Sequence, residues 1–189
     1  KLYGSKLKGK QLEIISSELN KLEDQSMASA LMDEESKLLQ LSNCVFPVDS
    51  DNIKDLYGSN GIDLCFKTKG SPAKYSYRDG IPNFLDLSEL ENYSCKIKSI
   101  IESINESEGI SFIYSNYLEG GILSLILALE QNGYKKYDGK EVLSHSKKRE
   151  PISYDGKLQS KCGEDFKQAT YIVISGGFKS KLDLTKDFI

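Results

Sequence analysis

The sequence predicts an α/β fold, with parallel strands and flanking helices preceded by a helical arm. Three observations predict it. Ile110 to Ser115 is a short uncharged run of β-branched and aromatic residues, as in a strand covered on both faces. The almost wholly apolar stretch Ile122 to Leu129 follows two adjacent glycines, and Gly133 stands where a left-handed helix cap belongs. Tyr171 to Ser175 is a second short strand-like run, broken by Gly176-Gly177.

Along the chain, Leu12, Ile15, Leu19 and Leu22 trace one face of a helix from about Lys8 to Leu22. Ala30, Leu31, Leu38, Leu39 and Leu41 indicate a second helix ending near Asn43. With Glu23-Asp24-Gln25-Ser26 as the turn, the two make an antiparallel hairpin, so residues 1–46 read as the arm. Residues 47–92 read as an irregular linker. The part from Asp51 to Pro82 is rich in Gly, Ser, Asp and Pro, and the alternation of Ile62 to Lys67 marks a candidate edge strand.

Residues 93–189 read as the α/β unit. Ser94 is the expected N-cap of a helix whose stripe is Ile97, Ile100, Ile101 and Ile104. The strand at Ile110, a helix from about Gly121 and the strand at Tyr171 follow. A parallel strand pair with a right-handed crossover is the economical solution. Residues 134–170 form a long polar connection, read as an inserted loop.

Composition narrows the function classes. The 189 residues are 39% hydrophobic and 28% charged, enough for one domain with its own core. Cys44, Cys65, Cys95 and Cys162 lack C-x-x-C spacing and have only His145 to join them, so no metal site is expected. The apolar helix is less than half of a bilayer span, and neither a signal peptide nor a membrane run is legible. An intracellular protein with reduced cysteines and no membrane partner is the expectation. The net charge of −3 argues mildly against binding nucleic acid through bulk electrostatics.

Four segments, taken in order, carry a resemblance. They are Gln40-Leu41-Ser42-Asn43-Cys44-Val45-Phe46-Pro47, Tyr93-Ser94-Cys95-Lys96-Ile97, the run from Phe112 through Gly120-Gly121 to Asn132-Gly133-Tyr134, and Tyr171 to Gly176. Together they resemble superfamily 2 helicase-like ATPases of large DNA viruses, the poxvirus nucleoside triphosphate phosphohydrolase type, around the start of the second RecA-like lobe. The resemblance implies a partial RecA-like lobe within a helicase or translocase that couples ATP hydrolysis to movement on DNA or RNA. ATP and magnesium would belong to the parent, as would the first RecA-like lobe. If viral, the protein would work in the viral factory or the virion. The chain departs from the family in having no G-x-x-x-x-G-K-[ST] loop, and the family's arginine-rich motif would lie past Ile189. The chain alone is therefore expected to be inactive, with no catalytic residues.

In an open parallel sheet, ligands meet the carboxyl ends of the strands. Those ends hold Ser115, Asn116, Ser175, Gly176 and Gly177, and Gly120-Gly121 would open the helix beside them. Hydroxyls, glycine amides and a helix N-terminus can each bond a phosphate oxygen, so these residues are the candidate nucleic-acid grip. The plainer reading is that the serines end strands and the glycines permit a turn. His145, between two serines, lacks a G-x-S-x-G partner and reads as a solvated histidine. The basic positions Lys135-Lys136, Lys140 and Lys147-Lys148-Arg149 read first as a solvated loop. The alternative function is a non-catalytic interaction domain that docks a protein through the Ile122–Leu129 helix or the insertion.

Overall fold

The computed structural model describes residues 4–23, 31–144 and 148–174. The fold is mixed α/β. Helices α1 (Gly9–Glu23) and α2 (Leu31–Asn43) come first, then α3 (Gly58–Cys65), the hairpin β1 (Phe66–Lys69) and β2 (Lys74–Tyr77), α4 (Cys95–Asn105), α5 (Ser124–Gln131), β3 (Lys135–Lys136) and β4 (Thr170–Tyr171). A π-helical turn, Leu118–Leu123, leads into α5.

α1 and α2 pack antiparallel: Gln11 lies against Leu41, and Glu18 against Lys37. The buried face is not the expected leucine stripe. Gln11, Ile15 and Glu18 are buried, whereas Leu12 and Leu19 are exposed. Polar chemistry decides this orientation. The Gln11 amide donates to the carbonyls of Leu41 (3.0 Å) and Ser42 (3.1 Å), and its oxygen accepts from the Cys95 amide (3.0 Å). One side chain thus satisfies the open carbonyl end of α2 and an open amide of α4. Glu18 is held by Lys37 (2.7 Å) and Lys21 (2.6 Å).

The stretch read as irregular holds regular structure. Ile62 to Cys65 is helical, and the strand begins only at Phe66. Gly58, Ile62, Cys65 and Phe66 follow helical rather than strand spacing and are all buried. Gly61 lets the Phe46 ring press onto this helix, for a Cβ there would sit 2.2 Å from the ring. β1 and β2 pair antiparallel, and Tyr75 on β2 bridges in parallel to Leu143.

α4 forms as expected. The Ser94 hydroxyl accepts from the Ile97 amide (3.0 Å), capping the helix, and donates to the Asn43 carbonyl. α5 is buried along its whole length. It ends at Gly133 (φ +91°), with Tyr134 N–H on the Leu129 carbonyl (3.1 Å) and Gly133 N–H on that of Glu130 (3.4 Å), the Schellman pattern.

The main core joins Phe46, Phe66 and Phe84 to Ile97 and Ile101 of α4 and to the α5 residues. Phe84 sits at its aromatic centre, 5.5 Å from Tyr93, 5.7 Å from Phe46, 5.9 Å from Tyr77 and 6.0 Å from Phe66. A smaller cluster of Ile15, Leu41, Val45 and Leu56 anchors the arm.

The sheet differs from expectation. Ile110 to Ser115 forms no strand. The parallel pair is instead β3 with β4, Lys135 opposite Thr170 and Lys136 opposite Tyr171. A strand needs a partner on each side to be buried in a parallel sheet, and among the described residues no backbone–backbone hydrogen bond reaches residues 110–116.

Candidate functional site

The polar loop after Ile110–Ser115 gathers part of the expected site. The Ser115 hydroxyl accepts from the Tyr117 amide (3.2 Å) and donates to its carbonyl (3.2 Å), folding a tight turn ahead of α5. Gly121 lies directly against it, for a Cβ there would come within 2.4 Å of the Ser115 oxygen. Asn116 is exposed and accepts from the Tyr114 hydroxyl. Ser115, Asn116 and Gly121 are thus neighbours.

Gly120 points elsewhere. It is buried against α3, where a Cβ would meet the Gly58 Cα at 3.1 Å and the Gln40 Oε1 at 3.2 Å. Its role in this fold is close backbone packing. The helix also begins earlier than expected, at Leu118 rather than near Gly121. Its first intrahelical bond is Ile122 N–H to the Tyr117 carbonyl (3.0 Å), so the amides of Leu118 to Gly121 precede the ladder. Ser175, Gly176 and Gly177 lie outside the described residues, as does His145.

The sequence around the loop is acidic. No lysine or arginine occurs between Lys98 and Lys135. Glu106, Glu108 and Glu119, close to the loop in sequence, are exposed, as is Glu102, which lies 3.9 Å from Lys98 Nζ. Beside them is an apolar strip: Phe112 is 88% exposed, Tyr114 77%, and Ile110 fully so. Ile113, between them, packs on the core. Ile172 and Ile174 after β4 are also exposed.

Sequence reasoning missed a buried carboxylate centre. The side chain of Glu130, just after the apolar run of α5, is fully buried. It accepts from the amides of Val142 (2.9 and 3.0 Å) and Leu143 (2.6 Å) and from the Tyr171 hydroxyl, with Lys148 Nζ at 3.7 Å. Burial pushes its carboxyl above the ordinary range despite these donors. Next to it, Asn132 accepts from the Leu87 amide (2.8 Å) and donates to the carbonyls of Leu85 (2.8 Å) and Ala128 (2.7 Å). Asp86 takes a two-pronged bond from Arg149, which holds its carboxyl down to about 2. The "insertion" is therefore bound to the core at several points, and its basic residues Lys148 and Arg149 are engaged in those bonds. The signal was a glutamate on the last turn of an apolar helix, a residue type that is buried only with partners.

Among the described residues, no group of three or more His, Cys, Asp or Glu side chains is placed to hold a metal ion. Cys44, Cys65 and Cys95 are buried thiols and Cys162 is half-buried; all four are free. Burial raises the Cys65 thiol to about 12, which removes it from nucleophilic chemistry. No helix among the described residues is long and apolar enough to cross a membrane. The chain matches no family model, no curated protein and no solved structure.

Proposed function

We propose that the chain is part of the second RecA-like lobe of a superfamily 2 helicase-like ATPase, in which it grips nucleic acid and does not itself hydrolyse ATP. The observation that carries this reading is the meeting of two segments on which the resemblance rests. Ser42–Pro47 and Tyr93–Lys96 are distant in sequence, yet Val45 N–H bonds the Tyr93 carbonyl at 2.9 Å. Lys96 donates to the Asn43 side chain at 2.7 Å and to the Ser42 hydroxyl at 3.1 Å. The third and fourth segments support it through the α5–Gly133 cap and the parallel pair ending at Tyr171.

Ile110–Ser115 forms no strand in this structure, so in this reading the grip lies in the turn that follows it. Ser115, Asn116 and Gly121 would hold the DNA or RNA backbone at this turn, together with Ser175, Gly176 and Gly177. ATP and magnesium belong to the parent enzyme, and no residue of this chain is assigned to them. Cleft closure between two lobes would move the grip along the strand.

The test uses the intact parent. Nucleic-acid-stimulated ATP hydrolysis is expected, with a salt-dependent gel shift that Ser115→Ala and Asn116→Ala each weaken several-fold. A parent that neither binds nucleic acid nor hydrolyses ATP ends this reading.

One observation favours a second reading, a non-catalytic protein-interaction domain. The stretch from Ser99 to Tyr134 carries exposed glutamates and no lysine or arginine, a composition that does not favour phosphate. An uncharged apolar strip suits a protein surface instead. The docking element would be Ile110–Tyr114, because α5 is turned wholly into the core. Capture of a protein partner by the parent, abolished by Phe112→Lys and accompanied by no gel shift, is the result this reading expects.

A further inference from the structure

We infer that Ile110–Tyr114 pairs with the same segment of a second copy of this chain, as two antiparallel strands about a twofold axis at Phe112. The inference goes beyond both functional readings and rests on geometry alone. Ile110, Ser111, Phe112 and Tyr114 are exposed, and only Ile113 within the segment is half-buried. Among the described residues the backbone of this stretch has no ladder partner. Unpaired backbone beside exposed β-branched and aromatic side chains is a template for another strand.

Natural edges are protected by charge or proline, and from Gly109 to Leu118 there is neither. The segment is also self-complementary. In antiparallel register about Phe112, Ile110 lies opposite Tyr114 and Phe112 opposite its own copy. All the outward apolar groups then fall on one face. The flanking Glu108 meets Asn116 rather than another glutamate, so no like charges are opposed. Phe112 and Tyr114, at roughly 150–250 Å² each, place the buried area at the low end of specific interfaces. A dimer with a dissociation constant on the order of 10 µM is the expected strength.

Sedimentation equilibrium of the 189-residue chain over a wide concentration range tests this. The expected result is a reversible monomer–dimer equilibrium that Phe112→Lys shifts to monomer while circular dichroism stays unchanged. In a Cys162→Ser background, Phe112→Cys should oxidise to a disulfide-linked dimer, whereas Ser103→Cys, on the exposed side of α4, should not. A chain that stays monomeric at every concentration overturns the inference and leaves the strip to a different polypeptide. So does a dimer that survives Phe112→Lys, or equal cross-linking at Ser103.

Discussion

The hydroxyl of Tyr171 donates to the carboxylate of Glu130, tying the last described strand to the buried helix α5. The same carboxylate takes two amides from Val142 and Leu143, so one side chain joins three segments of the chain. Removing it strands two buried N–H groups. Glu130→Ala should lose about 3 kcal/mol, and Tyr171→Phe about 1 kcal/mol. Urea denaturation measures both. Equal and negligible losses would mean that the centre contributes nothing to stability.

Asp86 and Arg149 predict an acid-side dependence. The Arg149 bond sets the folded Asp86 carboxyl at about 2, below its unfolded value near 3.9. A depressed carboxyl contributes stability that is present above the unfolded value and lost as pH falls through the folded one. Stability should therefore decline between about pH 4 and pH 2, by about 1 kcal/mol from this group once solvent screening is allowed for. Asp86→Asn should be less stable than the parent at pH 7, and the gap should close towards pH 2. A gap constant with pH, in denaturation curves taken across that window, would contradict the assignment.

Gly61 predicts a steric cost. An alanine there would bring a Cβ within 2.2 Å of the Phe46 ring, which has Phe84 behind it at 5.7 Å. Gly61→Ala should destabilise by about 1–3 kcal/mol, although alanine favours helix. Pairing it with Phe46→Leu should recover part of the loss, read as a rise in Tm relative to Gly61→Ala alone.

Gln11 and Ser94 predict coupling. Both bind the end of α2 to the start of α4, Gln11 through Leu41, Ser42 and Cys95, and Ser94 through Asn43 and Ile97. Each alanine variant should cost about 1–2 kcal/mol, and the double variant should depart from their sum by more than about 0.5 kcal/mol. Strict additivity in a double-mutant cycle would show the two contacts to be independent.

Much of the helical framework was legible because it is local. α1, α2, the Ser94 cap of α4 and the Gly133 stop of α5 follow from side-chain spacing and cap chemistry within a few residues. What failed depended on distant partners. Gln11 and Glu18 displaced Leu12 and Leu19 from the buried face because helix ends and lysines elsewhere in the chain satisfy them. Ile62–Cys65 became helix because Gly61 fits under Phe46, which the alternation of Ile62 to Lys67 does not encode. Ile110–Ser115 has the composition of a strand, but pairing is a property of two segments, and its partner is not specified locally. Of the candidate site, Ser115, Asn116 and Gly121 are brought together, while Gly120 serves the packing of α3. The absence of basic residues from 99 to 134 around it was readable in the sequence.

The three bonds of Gln11 make the opening helix a splint across two others. A shortened protein beginning after Glu23 would leave the far tip of one helix and the near tip of the next bare at the same moment. Trimming there should loosen the junction that holds Ser42–Pro47 against Tyr93–Lys96, so the arm cannot be treated as a dispensable leader.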